Sequence, residues 1–134
     1  MTTIADIEGI GPAIAGKLQE AGIRSTEALL ERGGTVKGRK EVAVAIGIDQ
    51  SQLLEWVNHA DLYRIRGVGS EYSDLLEEAG VDTIMELAQR NATALHEALV
   101  KANEAKKLVR KLPTADQVVQ WVQQAKSLPR MVEY

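Results

Sequence analysis

The chain has 134 residues, 45% of them apolar, a formal net charge of −3 and no cysteine. That length suits one domain or two small repeats, and the missing cysteines exclude a disulfide framework and thiolate metal sites. The net acidity argues against strong nucleic-acid binding over the whole surface.

Phe is absent and there are only two Trp and three Tyr, so Ile, Leu, Val and Ala must fill the core. Alternating apolar runs are few and Ala, Leu, Glu, Gln and Lys are abundant, which makes all-α the expected class. The N-terminus lacks a basic region followed by a long apolar run, and no apolar stretch approaches a membrane span. A soluble cytoplasmic protein without membrane association is expected.

A short helix over about residues 3–8 leads into Gly9-Ile10-Gly11, where two glycines permit a tight reversal that a β-carbon would obstruct. Pro12 suits the first turn of the next helix, predicted over residues 12–21 with Gly22 as its left-handed terminator. Free backbone amides of this turn converge at a helix N-terminus, an arrangement that suits an anion. Ser25 or Thr26 caps a third helix to about Arg32, stopped by Gly33-Gly34, and Thr35 caps a fourth that ends at Gly47. Asp49, with Gln52 three residues on, resembles a capping box and opens a fifth helix through Trp56 to about Ile65.

The order then repeats. Ile65-Arg66-Gly67-Val68-Gly69-Ser70 follows Ile7-Glu8-Gly9-Ile10-Gly11-Pro12 after 58 residues, and Leu18, Glu20, Ala21 and Gly22 recur as Leu76, Glu78, Ala79 and Gly80. The pattern predicts a helix over residues 70–79 closed by Gly80, and one capped by Asp82 or Thr83 to about Arg90. A further helix capped by Asn91 or Thr93 continues or kinks near Asn103 and reaches Leu112, where Pro113 ends it. Thr114 with Gln117 forms a second capping-box candidate for a last helix over residues 115–127, stopped by Pro129. Trp56 and Trp121 are expected as core anchors, each on a stripe: Leu53, Leu54, Val57 and Ala60, then Val118, Val119, Val122 and Ala125.

A period of about 60 residues without a flexible linker predicts two units, 1–64 and 65–134, packed as one body with one core and the helix at residues 50–65 in common.

Charge is unevenly spread. Residues 31–41 carry Arg32, Lys37, Arg39 and Lys40, and residues 101–111 carry Lys106, Lys107, Arg110 and Lys111 among others, whereas residues 71–86 hold six acids and no base. Each cluster reads as a solvated helix face or as a docking surface. Glu71 and Asp74, early in the second hairpin's helix, would repel a phosphate there, so that hairpin is expected to be structural or to meet a cationic protein. His59 and His96 are isolated and lack metal spacing, Glu77-Glu78 has ordinary surface spacing, and nothing near Lys17 would depress its pKa. No catalytic residue is expected.

The run IEGIGPAIAGKLQEAGIRSTEALL (residues 7–30) resembles the helix-hairpin-helix motif, and is especially similar to the copies in repair-type DNA polymerases and DNA ligases. The second copy, IRGVGSEYSDLLEEAGVDTIMEL (residues 65–87), is looser, with Ser73 where the motif prefers alanine and Tyr72 larger than the usual occupant. The full chain resembles an uncharacterised bacterial family of small proteins with tandem copies. Leu112-Pro113, Trp121 and Leu128-Pro129 match the way that family ends.

The resemblance implies an all-α fold of two fused, SAM-domain-like repeats of about five helices each. It implies a phosphate held by the amides of Gly9, Gly11, Ala13 and Ile14, with Ile10 in the loop and Lys17 on the helix behind. It also implies a monovalent cation, K+ or Na+, at the carbonyls of Ala5, Ile7 and Ile10, and no other cofactor. The expected function is non-catalytic, sequence-independent binding of a nucleic-acid backbone, DNA foremost, weak and salt-dependent. Arg24, Arg32, Lys37, Arg39 and Lys40 would aid it, with Lys106, Lys107, Arg110 and Lys111 as a secondary basic face. The alternative is a protein–protein interaction or scaffolding module in which both hairpins are structural.

Overall fold

The structure, a computed structural model, describes residues 3–7 and 9–134; Glu8, placed above in the first helix and turn, lies outside the described residues. The described residues form a 3-10 turn, Ile4–Asp6, and the α-helices α1 (Pro12–Glu20), α2 (Thr26–Gly33), α3 (Val36–Ile46), α4 (Gln50–Leu62), α5 (Ser70–Glu78), α6 (Ile84–Ala88), α7 (Ala92–Lys106) and α8 (Ala115–Ser127). They contain no strand, only an isolated bridge between Thr3 and Ser25, so the class is all-α. No helix among them is long and apolar enough to cross a membrane. The chain divides into two compact units: the first ends at Asp61 and is rejoined by Met131–Tyr134, and the second is Leu62–Arg130.

In the first unit the opening helix is shorter than expected. The Asp6 and Ile7 amides bond the Thr3 and Ile4 carbonyls, and Ile7 then turns extended with ψ 125°. Gly11 is the N-cap of α1 and Pro12 its first residue. At the other end Gly22 is left-handed (φ +86°) and the Ile23 amide reaches back to the Leu18 carbonyl at 2.8 Å, with Ile23 and Leu18 both fully buried. This closure satisfies an end carbonyl and seals the helix with an apolar contact. Ser25, not Thr26, caps α2 by accepting from the Ala28 amide at 3.1 Å, and Thr35 caps α3 by accepting from the Gly38 amide at 3.0 Å.

Gly33 and Gly34 do not halt α2 through backbone freedom, because α2 includes Gly33 and Gly34 keeps right-handed helical angles. They are there for space: a Cβ on Gly33 would sit 2.6 Å from Val57 Cγ2, and one on Gly34 would sit 2.5 Å from the Met131 carbonyl oxygen. In α4, Leu53, Trp56, Val57 and Ala60 are buried as expected, while Leu54 is half-buried and the helix stops at Leu62 rather than Ile65.

The second unit has a core that includes Leu62, Leu75, Leu76, Leu87, Leu99 and Trp121. Its helix α8 packs on α6 and α7, and α5 packs on α7. Each fully buried leucine contributes roughly 1.5–3 kcal/mol relative to an exposed one. The Trp121 ring tilts against Tyr72 with centroids 5.3 Å apart. Thr83, not Asp82, caps α6 by accepting from the Glu86 amide at 3.2 Å, and Asn91, not Thr93, caps α7 by accepting from the Ala94 amide at 3.0 Å.

The expectation that α7 reaches Leu112 is corrected, since it stops at Lys106. Lys107 adopts a left-handed conformation (φ +52°) and its amide bonds the Asn103 carbonyl at 2.8 Å. The Asn103 side chain then holds Val109 at both ends, accepting from its amide at 2.9 Å and donating to its carbonyl at 3.2 Å. That clasp substitutes for the helical bonds α7 would otherwise continue to make, and carries Val109 into the core. Thr114 and Gln117 close a full capping box at the start of α8. Val118, Val122 and Ala125 are buried, and Val119 faces outward.

Candidate functional site

The two glycine turns have the same geometry. Gly9 has φ +93° and Gly67 +92°; the Ile10 amide bonds the Ile7 carbonyl at 3.2 Å, and the Val68 amide bonds the Ile65 carbonyl at 3.1 Å. The apolar residues flanking each glycine, Ile7 and Ile10 or Ile65 and Val68, are buried and tether the loop. A Cβ on Gly9 would lie 3.3 Å from Trp56 Nε1, and one on Gly67 would lie 3.3 Å from Trp121 Nε1. Each tryptophan therefore walls one side of its unit's turn, a coupling the linear pattern does not show.

The far end of each following helix is also closed alike. Arg32 donates to the Ala21 carbonyl at 3.2 Å and Arg90 to the Gly80 carbonyl at 2.9 Å. Cations suit carbonyls left at a helix C-terminus.

The helix starts differ in charge. The N-cap of α1 makes no side-chain hydrogen bond and its first turn holds no acid. Pro12 has no N–H, so the Ala13 and Ile14 amides remain as first-turn donors without an intrahelical acceptor. Gly9, Gly11, Ala13 and Lys17 are exposed and Ile14 is half-buried. The Ile10 side chain is buried and its amide is spent on Ile7, so Ile10 shapes the loop and offers no donor. The N-cap of α5 likewise makes no side-chain hydrogen bond, but Glu71 stands exposed in its first turn and Asp74 half-buried behind it.

Of the carbonyls expected to hold K+ or Na+, that of Ile7 already accepts from Ile10, which leaves it one lone pair for a cation. Ala5 is exposed and Ile10 belongs to the same turn.

Arg24, Lys37 and Lys40 are exposed, as is Arg32 beyond its bond to Ala21. Arg39 is not part of that surface, and its expected role as a phosphate contact is withdrawn. It is 5% exposed and its guanidinium donates to the carbonyls of Gly33 (2.9 Å) and Gly34 (3.0 Å) and to that of Glu133. Burial pushes its pKa below the ordinary arginine value, opposed by the negative charges of Tyr134 and Glu133.

Acid interrupts the remaining basic surface. Glu20 lines one shallow depression with Arg24 and another with Lys17 and Val44. The secondary basic residues are all exposed but do not form one helical face: Lys106 ends α7, Lys107 is its left-handed cap, and Arg110 and Lys111 follow outside any helix. The Lys111 carbonyl accepts from the Tyr72 hydroxyl at 2.9 Å. His59 is buried, and His96 is half-buried with Nε2 donating to the Pro113 carbonyl at 3.1 Å.

The family model described as a domain of unknown function, DUF4332, matches residues 8–128, and the chain belongs to that family. No curated protein and no solved structure matches it.

Proposed function

We propose that this member of the DUF4332 family is a non-catalytic module that binds a nucleic-acid backbone, DNA foremost, without sequence preference. Its binding surface would be a helix-hairpin-helix turn, residues 9–17, in the first of two tandem repeats. The observation that carries the reading is the start of α1: exposed Gly9, Gly11 and Ala13, no side-chain cap and no acid in the first turn. Amides at a helix N-terminus supply partial positive charge and directed donors, which suit a phosphate oxygen. Lys17 on the same helix, with Arg24, Arg32, Lys37 and Lys40, would add charge. Such contacts position the protein on the backbone and carry no base information.

The test exploits the second turn. Ala13 and Glu71 stand at the same place in the two copies. Ala13→Glu thus moves the acid of the second hairpin into the first, at an exposed position where an N-terminal acid favours the helix. Fluorescence anisotropy with a labelled duplex should show binding at low salt, with a log–log slope of about −3 if roughly three phosphates are contacted. Ala13→Glu should weaken binding by about tenfold or more through charge repulsion at the phosphate, with an unchanged or raised melting temperature. Equal affinity of Ala13→Glu and the parent, or no binding of duplex, single strand and RNA at low salt, would sink the reading.

A protein partner is the second reading. It is favoured by Glu20 beside Lys17 and by Val44, which is 81% exposed next to that pair. Pull-downs with and without nuclease separate the two, since captured partners that survive nuclease support the second.

A further inference from the structure

We infer that the second unit carries a phosphate-binding groove of its own, between the chain entering its glycine turn and the face of α8, and that this groove seats a nucleic-acid backbone. The groove, about 690 Å³, is lined by Arg64, Arg66, Gln120, Gln123, Gln124 and Ser127. Leu128 completes the lining, so among the described residues two cations and no acid line it. That is the reverse of the charge carried by α5 behind the same turn, where Glu71 and Asp74 lie.

The chemistry of this lining suits an anion. The α8 residues stand at spacings of three and four, on one helical face. A merely solvated face would ordinarily mix Glu and Lys, whereas this one is uncharged and its helix carries a single acid, Asp116, in its first turn. The Arg66 amide donates to Gln124 Oε1 at 2.9 Å. A backbone N–H can only donate, so the oxygen of Gln124 must face it, and the side-chain NH2 is left as a donor for the groove. Arg64 donates to the Pro129 carbonyl at 2.8 Å, which holds its guanidinium in place, and Arg66 is exposed. The Ser127 hydroxyl donates inward to the Gln124 carbonyl at 2.9 Å, steadying the last turn of α8.

Among the described residues the lining includes no aromatic ring, so they offer no stacking to unpaired bases. Guanidinium and amide donors without stacking suit the phosphates of a duplex. Arg66 also occupies the place that Glu8 holds in the first copy. The two units thus divide the work differently: the first through backbone amides at α1, the second through side chains on α8. This groove rests on the nucleic-acid reading for the identity of its ligand, and not on the first hairpin.

The experiment uses the full chain, a labelled 20-base-pair duplex and a labelled poly-glutamate peptide, read by anisotropy over a salt series. The test variant is Gln120→Glu with Gln124→Glu; Glu at 124 can still accept from the Arg66 amide, so the fold is kept. Arg66→Gln is the second variant, should the first perturb α8. Both should bind duplex about tenfold more weakly, with a salt slope shallower by about 1–2. Adding either to Ala13→Glu should weaken binding further.

Full duplex affinity in both variants, while Ala13→Glu weakens binding, would overturn the groove and leave the first hairpin standing. Weakened binding in the groove variants beside an unaffected Ala13→Glu would support the groove and remove the first hairpin. Loss of poly-glutamate binding without any loss of duplex binding would overturn the proposal in favour of an acidic protein partner. No binding of duplex by the parent chain would overturn both.

Discussion

Arg39→Ala should be among the most damaging single changes in the first unit, although a cationic side chain in a basic stretch looks dispensable. The residue is 5% exposed and its guanidinium serves three carbonyls, those of Gly33, Gly34 and Glu133. Alanine removes all three donors and admits no replacement of comparable reach. At about 1 kcal/mol net for each bond, the loss is about 3 kcal/mol. Against a typical total of about 5–15 kcal/mol this is a large share. It corresponds to a fall of roughly 10 °C in melting temperature for a chain of this size.

Arg39→Lys should recover little, because one ammonium cannot fork across three acceptors, and about 2 kcal/mol should still be lost. Scanning calorimetry or urea titration gives the global figure. The local readout is hydrogen exchange at the Glu133 amide, which bonds the Gly34 carbonyl at 2.7 Å and should lose protection when Arg39 no longer holds the Glu133 carbonyl. Removal of Met131–Tyr134 and Arg39→Ala should be less than additive, because both break the Arg39–Glu133 contact. Tail removal should cost more by itself, since it also strips the buried Val132 and the Tyr134–Asn58 bond. A shift under about 0.5 kcal/mol for Arg39→Ala, with Glu133 still protected, would refute the reasoning.

Two further predictions concern the backbone. Gly9→Ala and Gly67→Ala should each cost more than Gly47→Ala in thermal melts. All three positions have positive φ, worth about 1–2 kcal/mol against a side chain, but only the first two place the new Cβ 3.3 Å from an indole nitrogen; at Gly47 it meets nothing within 4 Å. Equal costs at the three sites would contradict the tryptophan wall. Lys107→Gly should stabilise the chain by about 0.5 kcal/mol in urea titrations, because a left-handed helix cap carries a β-carbon there (φ +52°), and a destabilised variant would show that the Lys107 side chain has a role the cap geometry does not account for.

Much of the helical framework was legible in the sequence, because its signals act over three to five residues. Ser25, Thr35, Asn91 and Thr114 each cap a helix by accepting an amide three positions on, and Gly22, Gly47 and Gly80 take the left-handed angles that end one. Such bonds depend on local backbone chemistry, so residue type and spacing determine them. The charge contrast between the starts of α1 and α5 was readable for the same reason.

What the sequence left undecided depends on partners far apart in the chain. Arg39 read as a surface base until Glu133 and the paired glycine carbonyls claimed it. Gly33 and Gly34 read as helix stops, whereas Val57 and Met131 press on them and leave no room for a β-carbon. Lys107 and Asn103 end α7 six residues before Leu112, because a side-chain clasp on Val109 outcompetes continuation of the helix. The Arg66–Gln124 bond that turns an amide donor toward the groove joins residues 58 apart. Local backbone geometry is set by residue type within a turn or two, but the availability of a charge or a donor is set by what packs around it, and only the tertiary structure decides that.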